Sequence, residues 1–459
     1  MIKQNILSNS LTLFKFYVND ALRGFLDRPI FKNKTIRVGM ILITIALYFW
    51  YFYINIRAFF GLGEIKNLPE VVSLTKITIA SYIDMFIILG IYLGAFINST
   101  LNFSNVILFT TNLLPFTKRE ITIGQKLFKL SFALIIFELL LVIVFPFFIR
   151  VAVLSLLSLS LLFIILHQVF IVSFLLVDII YSVVLNILLE RFRNLRTVFQ
   201  YILDMFLVSI ATIYMLVYRF PIENKLGYTD FSVDSIIYLT YILTLVLLVI
   251  IFMLILKKDF YTPMQVKRRF FLYRVSSLKI PIIYSLFALT RQKNFLYTIM
   301  TFILIVYITG IQNGITDALK VFASFYFLIN ISGINYASAT SNFRKFYDFY
   351  RISIIYEGVS LVISSVILSL PLLILTLCSN TSWDNLLINY SFFLISVIFG
   401  FLFPKSNGSL NEIFAISLSM ICGLIIYQLL IYRTLFLPII IILLCILLAI
   451  LRKERCWNE

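Results

Sequence analysis

Apolar runs close to 20 residues long recur along this 459-residue chain from Val38 to Leu451. That recurrence limits the fold more than any motif does. About 20 apolar residues cross the ~30 Å hydrocarbon core as a helix. A spanning segment must also satisfy its own backbone hydrogen bonds, which a helix does internally. Charged residues make up 13% of the chain and hydrophobic ones 61%, whereas soluble domains carry about 25% charged residues. The hydropathy predicts an all-α polytopic integral membrane protein of about twelve transmembrane helices. The expected spans are residues 38–60, 77–100, 128–149, 155–186, 197–218, 235–256, 295–313, 318–338, 353–377, 387–403, 412–432 and 435–451.

The formal charge of +17 raises the question of a nucleic-acid partner, and its placement answers it. With both termini in the cytoplasm, 30 of the 38 Lys and Arg fall inside. Lys66, Lys76, Arg150, Arg219, Lys225, Lys320 and Arg433 fall at outer loops, and Arg57 lies within a span. That asymmetry follows the positive-inside rule. It points to a multi-pass protein of the cell (plasma) membrane, with lipid rather than nucleic acid as its surroundings. No run of signal-peptide type is evident, because Lys15, Asp20, Arg23 and Asp27 interrupt the first apolar stretch. Cys378, Cys422, Cys445 and Cys456 have neither metal-ligand spacing nor the pattern of a disulfide framework.

The chain reads as two pseudo-repeated six-helix halves, residues 1–256 and 257–459. The first opens with an amphipathic stretch, residues 11–26, suited to lying in the membrane interface. The second opens with a basic interfacial segment containing Lys257, Lys258, Lys267, Arg268, Arg269 and Arg274. Duplicated halves are common among transporters. After the second span of each half comes a polar inner segment. In the first half it is Leu114, Pro115, Phe116, Thr117, Lys118, Arg119, Glu120 and on to Lys126. In the second it runs from Phe343 through Arg344, Lys345, Arg351 and Ser353 to Gly358, with Ser353 in the place of Thr117. Thr117 and Glu120 have capping-box spacing, which predicts a helix starting at Lys118 with Pro115 just outside it. Lys118, Arg119 and Lys126 would then face an acidic groove on a partner. An ordinary helix start after an ordinary inner loop would have the same spacing.

The run Leu114, Pro115, Thr117, Glu120, Ile121, Gly124, Lys126 resembles the coupling segment of ATP-binding-cassette (ABC) exporter permeases of the six-span, ABC-2-like type. There a Leu-Pro-x-Ser/Thr-x-x-Glu-Ile run, followed by Gly and Lys, comes after the second span. The resemblance extends to the leading interfacial helix and the general layout, while the sharp motif covers about thirteen residues. The second half departs from it, with Tyr350 and Arg351 near the place of the Pro. Residues 432–435 also leave almost no outer loop where many relatives have gate helices. The resemblance implies a transport subunit, not an enzyme, served by a separate ABC ATPase in two copies that binds ATP and Mg. It implies coupling through Leu114, Pro115, Thr117, Lys118, Arg119, Glu120, Arg344, Lys345, Arg351 and Ser353. By family association the cargo would be a hydrophobic peptide of bacteriocin type or another amphipathic substrate. No Gly-x-x-x-x-Gly-Lys-Ser/Thr run is present, so no cofactor is expected on this chain and the nucleotide belongs to the partner.

Charged groups at membrane depth are costly and tend to face a pathway or a partner. The candidates for a pathway are Asp84, Glu138, His167 and Asp178. Each has a bland alternative as a buried hydrogen bond inside the bundle. His167 and Asp178 share one face of a predicted helix but lie eleven residues apart, about 16 Å, too far to bond. Asp204 is expected to meet Arg196 or solvent, and Arg57 to reach toward the membrane edge. Residues 151–189 exceed one perpendicular span, so that helix either tilts or runs on past the membrane toward residues 190–196. No cluster suggests a metal or a nucleophilic triad. The alternative function is an ion-gradient-driven secondary transporter or a lipid-linked sugar flippase. The inner loop, however, lacks the Gly-x-x-x-Asp-Arg/Lys-x-Gly-Arg pattern of major-facilitator carriers. An embedded polymerase or glycosyltransferase would need a larger outer loop than residues 61–76 or 221–234 supply.

Overall fold

A computed structural model describes the chain apart from residues 1–5, 27–44, 46–47, 50–51, 54–67, 101–108, 112, 146–153, 192–195, 258–280, 291–292, 345–346, 348–351, 380–382, 404–410, 424–435, 457–459 and a few positions between 413 and 421. Among the described residues every regular element is helical. Seven helical stretches are long and apolar enough to cross a membrane: Val71–Asn98, Leu156–Val184, Ile202–Gly227, Val233–Ile255, Ile315–Ser341, Ile354–Cys378 and Asp384–Leu402. The chain is therefore an all-α membrane-spanning protein. A shorter apolar helix covers Thr298–Asn313, within the expected span 295–313. The expected spans at 38–60 and 412–432 fall largely outside the described residues, as does Arg57.

The chain divides into two units, Met1–Gln265 and Val266–Glu459. The first contains α1 (Ile6–Leu26), α2 (Leu68–Thr100), α3 (Lys118–Val144), α4 (Leu156–Arg191) and α5 (Arg196–Ile213). A π-helical turn, Tyr214–Tyr218, then leads into α6 (Arg219–Gly227) and α7 (Val233–Lys257). α4 is a single helix of 36 residues, about 54 Å at 1.5 Å per residue. It is therefore longer than its own membrane-crossing stretch. Its most extensive neighbour is α2, and small residues set how close the two can come. A Cβ at Gly90 would stand 2.9 Å from Ser173 Cβ, and one at Gly94 would stand 2.9 Å from Val177 Cβ. Glycines four apart on one helix face let two backbones approach without the hydrophobic drive that water would supply.

α1 packs along α3 and so has more than a lipid surface to bury against. Ser10, Leu13 and Tyr17 turn inward, and Tyr17 meets Phe128 edge-on at 6.2 Å. Gly124 makes this approach possible, since a Cβ there would lie 3.0 Å from Leu13 Cβ and 3.2 Å from Ser10 O. Leu7, Leu11 and Phe16 remain exposed on the other side.

The second unit contains α8 (Pro281–Thr290), α9 (Lys293–Asn313) and α10 (Ile315–Phe325). A ten-residue 3₁₀ segment, Tyr326–Asn335, precedes α11 (Tyr336–Arg344), α12 (Ile354–Ser379), α13 (Asp384–Leu402) and α14 (Phe436–Cys456). The 3₁₀ segment lies against α13. There Asn330 Nδ2 donates to Asn389 Oδ1 at 2.7 Å, and Asn389 Nδ2 donates to Ser369 Oγ at 2.7 Å. α8 rests on α12 through the Ser285 and Ser364 hydroxyls, 2.5 Å apart.

Candidate functional site

The segment before α3 has the geometry its spacing predicts. Thr117 is the N-cap, and Glu120 N–H donates to Thr117 Oγ1 at 3.3 Å. In return Thr117 N–H donates to Glu120 Oε2 at 2.8 Å. Two backbone donors that the first turn would leave unpaired are thereby satisfied. Glu120 also accepts at Oε1 from Asn9 Nδ2 at 2.8 Å, so one buried carboxylate fastens the start of α3 to α1. Leu114, Pro115, Thr117 and Lys118 stay on the surface.

Burial pushes the Glu120 carboxyl up, but the hydrogen bonds from Thr117 and Asn9 outweigh it and hold the group below its ordinary value. A carboxyl lowered on folding stabilises above its unfolded value of about 4.5 and loses that contribution as pH falls through the folded value. Thr117→Ala removes one half of the box and is expected to cost about 1 kcal/mol. In detergent it should lower the thermal midpoint near pH 7, and the difference from the parent should shrink below pH 4.5.

Lys126 does not face outward as expected. Its Nζ lies 2.6 Å from Asp178 Oδ2, and Lys129 Nζ lies 3.3 Å from Asp178 Oδ1. Lys129 also donates to Asn98 Oδ1 at 2.6 Å. All three charged side chains are at most 10% exposed. A partner cannot reach Lys126 here. The two lysines instead join the third and fourth turns of α3 to α4, and Asn98 adds α2. Lys129 and Asn98 were not singled out from sequence; a lysine inside an expected span is the signal that would have found them.

Glu138 and His167 meet across α3 and α4, with His167 Nε2 2.8 Å from Glu138 Oε1. His167 Nδ1 donates to Phe163 O at 2.7 Å, and the ring stands edge-on to Phe137 with centroids 4.8 Å apart. His167 and Asp178 contact different groups. Asp84 is buried on α2 and accepts from Tyr214, in the π-turn, at 3.0 Å. Nearby Arg219 bonds Glu223 at 2.5 Å and also Ser81. Asp204 is buried, 2% exposed, and so does not meet solvent.

In the second unit Ser353 directly precedes α12 and accepts from Tyr356 N–H at 3.1 Å. Arg344 is not at the surface. It bonds Glu454 at 2.6 Å, Ala337 O at 2.8 Å and Thr340 Oγ1 at 3.1 Å, with its guanidinium 4.5 Å from the Phe401 centroid. Those contacts occupy the fork that a partner would need. Lys345 and Arg351 lie outside the described residues. Among the described residues no group of three or more His, Cys, Asp and Glu is placed to hold a metal ion. In comparisons with known proteins the chain matches no family model, no curated protein and no solved structure.

Proposed function

We propose that the chain is the transmembrane subunit of an ATP-driven exporter of the ABC type, in the plasma membrane with both termini cytoplasmic. It would work with a separate ATPase, in two copies, that holds ATP and Mg. The observation that carries this reading is the capped start of α3. A surface element of Leu114, Pro115, Thr117 and Lys118 is joined through Glu120 to α1. About two turns deeper, Lys126 and Lys129 join it to α4. A push on that element is transmitted to two other helices through buried, hydrogen-bonded charges rather than lost in a loose loop. The cargo in this reading is a hydrophobic peptide or another amphipathic molecule.

Lys118 and Leu114 are exposed, whereas Lys126 and Arg344 are buried. The test is therefore a pull-down of the tagged protein in mild detergent, with ATPase activity assayed on the eluate, comparing the parent with Leu114→Asp/Lys118→Glu. An ATPase that copurifies with the parent and is largely released by the double variant is the expected result. A parent that purifies with no nucleotide-hydrolysing partner overturns the reading and favours ion-gradient-driven transport.

A further inference from the structure

Two groups of charged side chains bridge α3 and α4, and they differ in exposure. The Lys126–Asp178–Lys129 group is closed off, whereas Glu138 and His167 have side chains 54% and 35% exposed. His167 lies three residues from residue 170, the midpoint of the 156–184 crossing stretch. The pair thus sits near mid-membrane, where a carboxylate facing lipid tails is costly. The exposed residues around it are apolar: Ile135, Leu139 and Val142 on α3, and Ile164 on α4. A carboxylate in the middle of an apolar surface matches a molecule that combines a positive charge with an apolar body.

The hydrogen bonds fix the chemistry further. A carbonyl oxygen only accepts, so the bond to Phe163 O means that Nδ1 carries its hydrogen. The 2.8 Å contact between Nε2 and Oε1 then needs one proton between a ring nitrogen and a carboxylate oxygen. With that proton the pair is neutral overall, and without it the pair carries one negative charge. Several other charged or titratable groups on these helices are engaged elsewhere. Asp84 is held by Tyr214, Lys126 and Lys129 by Asp178, Asp234 by Ser158, Lys76 by Thr229 O, and the Tyr48 hydroxyl by Val142 O.

We propose that Glu138, positioned by His167 on the apolar flank of α3 and α4, binds the positive charge of a cationic amphiphile. The incoming cation takes the place of the shared proton, which leaves to water, so the site stays neutral before and after. This deepens the exporter reading by naming the substrate class, and its test needs no motor. Purified protein in lipid nanodiscs is titrated with tetraphenylphosphonium, and proton release is followed with a pH indicator in weak buffer.

Binding with release of about one proton per cation is expected, tightening as pH rises. Glu138→Gln, a change at an exposed side chain, should weaken binding about tenfold or more. The anion tetraphenylborate should not compete. Absence of binding to the parent, equal binding by the folded Glu138→Gln variant, or equal competition by tetraphenylborate would each overturn the proposal. Cation binding without a copurifying ATPase would leave this site standing while removing the exporter reading. A copurifying ATPase without cation binding would do the reverse.

Discussion

Gly400→Ala is expected to destabilise the protein more than a methyl group added at any other described glycine. A Cβ at Gly400 would lie 2.2 Å from Ile334 O and 2.8 Å from both Ile334 C and Ile334 Cα. These are backbone atoms of the 3₁₀ segment, so no rotamer change can make room, and α13 must move bodily from its neighbour. Overpacking of this kind costs about 1–3 kcal/mol and occasionally more, and the unyielding obstacle places this site at the upper end. Gly310→Ala is the matched control, because its new methyl group would meet only Ala318 Cβ at 3.5 Å, an ordinary contact. Thermal inactivation in detergent, followed by size-exclusion recovery, should show a clear drop for Gly400→Ala and parental behaviour for Gly310→Ala. Equal behaviour of the two would mean that the close approach of α13 to Ile334 is not maintained.

The other large effect is expected at Asp178. Asp178→Asn keeps the shape but leaves two buried lysines without a counter-charge. Removing one partner of a buried ion pair typically costs about 3–5 kcal/mol. A replacement that removes every charge, Lys126→Met/Lys129→Met/Asp178→Leu, should recover most of the loss, because apolar substitutes need no compensating charge. The comparison separates two roles. If the triple variant is as stable as the parent yet no longer couples a bound ATPase to transport, the charges serve transmission. If both variants are equally unstable, side-chain shape rather than charge balance governs the site.

Which parts of this arrangement could be read in advance follows from how local each interaction is. The Thr117 cap spans three residues, so spacing alone placed it. Membrane crossing was legible because hydropathy adds up over a window, and a 36-residue α4 is consistent with a run recognised as too long for one perpendicular span. Lys126 was misread because a linear run of Lys118, Arg119 and Lys126 looks like one charged patch. On a helix of 3.6 residues per turn, Lys118 remains at the surface while Lys126 turns inward to a residue 52 positions away. His167 was compared with Asp178 because both lie on one helix and only that register can be counted. Its partner is Glu138, 29 residues earlier on α3. Arg344 shows the same limit, since Glu454 is 110 residues distant.

The winding of Tyr326–Asn335 changes how the whole stretch from Ile315 to Arg344 must be indexed. A 3₁₀ helix turns about 120° per residue against about 100° for an α-helix, so ten residues accumulate a phase slip of roughly 200°. The same ten residues advance about 20 Å instead of about 15 Å. A helical wheel drawn through residues 315–344 with one period therefore assigns the far end nearly the opposite azimuth from its true one. Tyr336 stands 18 residues after Ala318, about five full turns of a uniform α-helix, yet the 3₁₀ winding between them turns it to nearly the opposite azimuth, and both residues are buried. The segment works as a phase shifter: it lets one continuous rod bury one side at its start and nearly the opposite side at its end without a break in the chain.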